Sequence, residues 1–292
     1  MKILKSSLMA GAAALTIAAP AGAADLPPPM YKSAPVVVQT SGWYLRGDIG
    51  MTNQQVKSID NALFDSTVVV HNKDFDTGIL AGLGGGYQFN DWFRVDVTGE
   101  YRGRTAFRGF DTYPGGAGFG PGANDYYGTK SEWLFLANAY LDLGTWWCFT
   151  PFVGAGIGTS RNTIDNFRDV NAPNGSVAYA DKHSQWEMAW ALHAGIAYKV
   201  TKNFTAEFAY RYVNLGDFQS GDLVRFDGLN AVNNPMIFHD VTSHDFKLAL
   251  RWNLSPNDAV IPVAAPAYAP PPAVYNPPAP AYAPPPPLMR KG

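Results

Sequence analysis

The chain has 292 residues, and its 22 basic and 24 acidic side chains leave a formal charge of -2, which gives it no electrostatic claim on nucleic acid. Charged residues make up only 16 % while aromatic residues reach 14 % and glycines number 29, a mixture that leans to β structure with much apolar surface. The lone cysteine, Cys148, excludes an internal disulfide.

The chain opens on MKILKSSLMAGAAALTIAAPAGAAD. Lys2 and Lys5, an apolar run from Leu8 to about Ala19, and the small residues 21–23 form the three parts of an export signal, expected to occupy 1–23. The run is shorter than the ~20 apolar residues a spanning helix needs. No later stretch of about 18 uninterrupted apolar residues appears, so entry into a membrane would be as a β-barrel. A Pro-rich linker, with LPPPMYKSAP, is expected over 24–41.

From residue 42 the sequence alternates with a period of two, the mark of extended strands with unlike faces. WYLRGDIGM sets Trp43, Leu45, Ile49 and Met51 against Arg46 and Asp48. ILAGLGGGYQF sets Ile79, Ala81, Leu83, Tyr87 and Phe89 against Gly82, Gly84, Gly86 and Gln88. WFRVDVTGEYR sets Phe93, Val95, Val97 and Tyr101 against Arg94, Asp96, Thr98, Glu100 and Arg102. In LFLANAYLDL, Phe135, Ala137, Ala139 and Leu141 oppose Asn138, Tyr140 and Asp142. FTPFVGAGIG, QWEMAWALHAGIAYKV, FTAEFAYRY and DFKLALRWNL continue the pattern and bring the count to eight strands.

The connections alternate too. Residues 90–91, 144–148 and 201–203 are short, whereas roughly 52–75, 103–131, 160–183 and 214–241 are long and rich in Gly, Asn and Asp. Short turns on one rim and long loops on the other are the plan of an outer-membrane barrel, with apolar residues on lipid and polar ones in the lumen. The fold class expected over 42–254 is therefore all-β, an eight-stranded antiparallel transmembrane β-barrel. A secreted lipocalin-like barrel would also alternate, but it would force many large aromatic residues into a small lumen and leave the glycines outside.

A membrane-interface girdle of Trp43, Trp92, Trp146, Trp147, Tyr198, Phe204 and Trp252 is expected at the short-turn rim, with Tyr101, Trp133, Trp186 and Tyr212 near the other. The inward set is Arg46, Arg94, Arg102, Lys199, Arg211, Lys247 and Arg251 against Asp48, Asp96, Glu100, Asp142, Glu187, Glu207 and Asp245, seven of each sign. An eight-stranded barrel is only wide enough for side chains to fill. A balanced charge network is expected to close the lumen, with the Gly runs 82–86 and 154–158 leaving water-filled space beside it. A small diffusion channel is the alternative.

The stretches AADLPPPMYKSAPVVVQTSGWYLRGDIG, LDLGTWWCFTPFVGAGIG and HDFKLALRWNL resemble the small outer-membrane β-barrel proteins of alphaproteobacteria, porin-like in label and related to the OmpA-type transmembrane domain. The resemblance covers about 24–254. It implies residence in the cell outer membrane, a contribution to envelope integrity, and contact with the environment or a host, without an enzymatic activity. One departure is that Trp252 is followed by Asn253, Leu254 and a further extension rather than closing the chain on an aromatic residue.

Other motifs carry less. Ser243, His244 and Asp245 have the residue types of a hydrolase triad, but neighbours on a strand point to opposite faces. His71, His183, His193 and His239 show no metal-ligand spacing, and no cofactor is expected. The expected partners are outer-membrane lipid and an unidentified extracellular ligand at the loops. The segment 255–292, which repeats PAYAPPP, is expected to be a disordered periplasmic tail able to contact peptidoglycan.

Overall fold

The computed structural model describes residues 41–115 and 120–254. The expected signal peptide, most of the linker and the Pro-rich tail lie outside the described residues.

Twelve strands run in chain order: β1 (Gly42–Asp60), β2 (Val69–Phe75), β3 (Gly78–Gln88), β4 (Phe93–Tyr113), β5 (Gly122–Asp142), β6 (Phe149–Asn171), β7 (Val177–Ala180), β8 (His183–Lys199), β9 (Phe204–Asn214), β10 (Phe218–Gln219), β11 (Leu223–Arg225) and β12 (Ile237–Asn253). Eight of them, β1, β3, β4, β5, β6, β8, β9 and β12, pair antiparallel around a ring that closes through β12 on β1. Closure satisfies every edge, which is what lets a sheet sit in lipid. The remaining four are short and edge the long connections: β2 pairs with β4, β7 with β6 and β11, and β10 with β12.

Local chemistry makes the short turns. Asn90 Oδ1 accepts from the backbone N–H of Trp92 at 3.0 Å and of Phe93 at 2.8 Å, which folds β3 back into β4. Thr201 Oγ1 does the same for Phe204 at 3.0 Å between β8 and β9. Gly144, at φ 119°, supplies the left-handed residue that opens the turn from β5 to β6.

The other rim differs from the sequence expectation. Much of what reads as loop is strand: β1 runs to Asp60, β4 to Tyr113, β5 starts at Gly122 and β6 ends at Asn171. β4 and β5 hold 21 residues and β6 holds 23, about twice the ~9–11 that cross a bilayer. The barrel therefore continues beyond the lipid as a water-exposed sheet, and there its faces exchange character. In the lower part of β4, Arg94, Asp96, Glu100 and Arg102 are buried inside while Val97 and Tyr101 face out. Higher up, Phe107 is buried inside and Arg108 is exposed.

Bulges make the exchange. The register of β4 against β5 shifts between Arg102 and Thr105, so inward positions are even-numbered below and odd-numbered above. On β5 and β6 the shift lies between Tyr127 and Thr129, opposite Asn166 at φ 52°. On β12, Asp240 at φ 47° is exposed between buried Phe238 and Val241. One extra residue reverses the side-chain phase, so each bulge re-aims everything above it. The extracellular part of the interior then carries an apolar core that includes Phe75, Phe107, Phe167, Phe218, Phe238 and Met236. Phe107 packs on Phe75 and Phe238 with ring centroids 5.0 Å apart in each case, and Phe218 on Phe238 at 4.9 Å.

Candidate functional site

Below that core, the inward side chains of five strands, β1, β4, β5, β9 and β12, meet in one connected charge network. Glu207 on β9 lies 3.4 Å from Arg94, 3.5 Å from Arg251 and 3.6 Å from Arg46. Arg94 Nε also reaches Asp142 Oδ1 at 3.3 Å, and its guanidinium lies 4.2 Å from the Tyr140 ring centroid. Arg46 bridges Asp48 on its own strand at 2.7 Å and Asp96 on β4 at 2.8 Å.

Lys247 links this layer to the next, 3.4 Å from Asp48 and paired with Glu100. Arg211 donates to both oxygens of Glu100, at 2.9 and 2.6 Å, and to Asp245 Oδ2 at 2.7 Å. Arg102 takes both oxygens of Asp245, at 2.7 and 3.0 Å, and pairs with Glu132, which holds Lys130. Such bidentate forks satisfy the charges that burial strips of water. Neutral groups fill in around them: Tyr44 donates to Asp96 at 3.1 Å, Asn138 Nδ2 to Asp96 at 2.8 Å, and His193 lies 3.1 Å from Asn138.

Twelve of the fourteen charged residues expected in the lumen belong to this network: Arg46, Asp48, Arg94, Asp96, Glu100, Arg102, Asp142, Glu207, Arg211, Asp245, Lys247 and Arg251. Glu187 and Lys199 stand outside it. Lys199 is exposed at the short-turn rim, where its strand ends, and Glu187 is half-buried beside Gln185 near the opposite end of β8. Two further residues take part, Lys130, which the sequence reading placed in the 103–131 loop, and Glu132 just past its end, both fully or almost fully buried. The alternation of β5 carries on through them, and that continuity is the signal that could have found them.

The glycines opposite the network do not leave room for water in the way expected. A Cβ at Gly86 would come within 2.5 Å of the Tyr44 ring, and one at Gly84 within 2.8 Å of Thr98 Cγ2. Neighbouring side chains already occupy that space.

Outside, Trp43, Trp92, Trp146, Trp147, Tyr198, Phe204 and Trp252 are all exposed around the short-turn rim. Trp43 stacks edge-on to Tyr87 at 5.2 Å, Phe149 on Tyr198 at 5.0 Å and Phe204 on Trp252 at 5.9 Å. The upper band has Tyr101 on Trp133 at 5.0 Å and Phe135 between Trp133 and Trp186. Between the bands the outer wall exposes Leu45, Ile49, Leu83, Val97, Ile157 and Leu248 among other apolar residues, a surface suited to lipid. Ser243 and Asp245 point inward, with Ser243 donating to Asp245 at 2.6 Å, while His244 lies on the other face against the Tyr210 hydroxyl at 2.6 Å. The three do not form a triad.

A closed antiparallel ring with an apolar outer band, aromatic rims and a polar interior is the architecture of an outer-membrane barrel. The profile of the outer membrane protein beta-barrel domain family matches residues 10–254, and the chain belongs to that family. An uncharacterized protein of Brucella abortus is 32 % identical over 225 residues, covering 69 % of this chain and 78 % of the relative. Outer membrane protein PagN of Salmonella typhimurium is 29 % identical over 191 residues, covering 60 % and 75 %, and a candidate adhesin of Rickettsia bellii is 27 % identical over 215 residues, covering 73 % and 88 %. Among solved structures, outer membrane protein OprG of Pseudomonas aeruginosa aligns over 74 % of this chain and 97 % of its own, at 16 % identity and a TM-score of 0.44. The protein is an outer-membrane β-barrel, resident in the cell outer membrane.

Proposed function

We propose that this protein is a closed barrel that reinforces the envelope and acts at the cell surface through its extracellular end, without a through-pore and without a catalytic site. The observation that carries this reading is the stacking of two unlike fillings along one axis. The ion-paired layer runs from Asp142 up to Lys130, and Lys130 Nζ lies 5.0 Å from the ring of Phe218 in the apolar core above. Water and ions would have to break both fillings to cross. A diffusion channel needs a continuous polar path, which the aromatic layer opposes.

The surface role draws on the loop that follows β11. Phe226, Leu229 and Val232 are exposed there, far above the lipid band, where an apolar side chain gains nothing from water. The relationship to a candidate adhesin points the same way. Contact of the 255–292 segment with peptidoglycan belongs to the same proposal.

Cells lacking this chain test the reading. They should become sensitive to detergent and lose attachment to host-type surfaces. Wild-type protein should restore both properties, and a chain with Phe226, Leu229 and Val232 replaced by Ser should restore only resistance. Unchanged resistance and attachment in the deleted cells would overturn it.

A further inference from the structure

The buried carboxylates Asp48, Asp96, Glu100, Glu132, Asp142, Glu207 and Asp245 each make an ion pair with Arg or Lys. Asp111, 0 % exposed near the top of β4, makes none among the described residues. Its oxygens accept only neutral donors, Tyr126 at 2.6 Å and Asn124 at 3.0 Å. Asp169 on β6 is its electrostatic neighbour, so two carboxylates share a partly dry site above the upper girdle. Of the charged groups around them, Arg225 reaches the adjoining cavity but is held by Asp227 at 2.6 Å, Asp65 adds a further carboxylate there, and His71 lies on the outer side against Thr112.

Beside this pair opens a cavity of about 560 Å³ at the extracellular mouth, walled by the loop after β1, the upper parts of β5 and β6, and the loop after β11. Asp169, Asn171 and Asn234 line it, and each has a buried oxygen with no hydrogen-bond partner. Asn234 is only 5 % exposed. All three orphaned atoms are acceptors, so the group they lack is a donor. The rest of the wall is mixed: Leu63, Phe64, Val68 and Ala178 form an apolar side, while Asp65, Thr67, Ser176 and Arg225 add polar and charged groups.

We infer that this cavity binds an organic ammonium ion, a protonated amine carried on an apolar body, with Asp111 and Asp169 as its counter-charge. The ammonium N–H groups donate to the orphaned oxygens of Asp169, Asn171 and Asn234, which a turn about χ2 brings to the cavity surface. The apolar body lies on Phe64 and Leu63. A bare metal ion would leave that wall unused, and a neutral sugar would leave the carboxylates uncompensated. Burial and the charge of Asp111 push the Asp169 carboxyl up to about 7, as expected of a site that lacks its cation when empty. The inference does not depend on the lumen being closed.

The test uses the full mature chain refolded in detergent, with folding checked by heat-modifiable electrophoretic mobility. Isothermal titration with spermidine at neutral pH and low salt should give one saturable site per barrel. Asp169→Asn and Asn234→Leu should each weaken it at least tenfold, while Asp240→Asn, whose carboxylate faces outward on Lys57, should leave it unchanged. Absence of saturable spermidine binding, wild-type affinity in the two cavity variants, or saturable binding of calcium chloride or methyl glucoside in place of spermidine would each overturn the inference.

Discussion

Glu100 is held by Arg211 through both oxygens and by Lys247, and all three side chains are nearly or wholly out of water. Removing its charge leaves Arg211 with only Asp245, which it shares with Arg102, and Lys247 with only Asp48 at 3.4 Å. Breaking a buried pair in this way costs about 3–5 kcal/mol. Glu100→Gln should therefore lower the urea midpoint of the refolded barrel in lipid vesicles, followed by tryptophan fluorescence, by an amount equivalent to that loss; an unchanged midpoint would contradict the pairing. Asp169 has the opposite sign. Its folded pKa of about 7 lies above its unfolded value, so the folded state binds the extra proton between pH 4 and 7 and loses stability as pH rises through that window. Asp169→Asn should stabilise the extracellular half at pH 8, by about 2–4 kcal/mol, and do little at pH 4. Thermal unfolding of both proteins at the two pH values reads the difference.

At the scale of strands, the lipid-facing band was legible because lipid and lumen demand opposite residues at alternate positions, and Phe93–Arg102 obeys that, with every even position buried. What lies above it was not legible. Where the wall leaves lipid, the preferred faces exchange, and a bulge at Gly103–Arg104 carries the phase change. A period of two that breaks and resumes with inverted polarity looks like irregular, Gly-rich loop. Lys130 and Glu132 continue the alternation of β5 upward and were missed because the loop was drawn too long, and the pocket beside Asp169 needed segments from all four long connections brought together, which no local pattern announces. Two substitutions on outward positions of β4 separate the zones. Val97→Arg places a charge in lipid and should cost about 2–4 kcal/mol, whereas Thr112→Arg faces water and should change stability by less than about 0.5 kcal/mol. Denaturant unfolding in vesicles distinguishes them. Phe107→Ala opens a cavity in the aromatic core and should cost about 3–5 kcal/mol, with earlier proteolytic cutting in the extracellular strands than in the membrane band.

The whole molecule is one ring with two interiors. Its lower interior is an ion-pair lattice, matched to a wall whose outside is lipid, and its upper interior is a hydrophobic core, matched to a wall whose outside is water. In the function proposed above, these two fillings seal the axis in series. Single-channel recording of the purified, refolded wild-type protein in planar bilayers tests that seal directly. A sealed barrel should leave a quiet membrane with no reproducible conductance steps. Steady ohmic steps of uniform size from the wild-type monomer would contradict it and make the charged layer the filter of a porin.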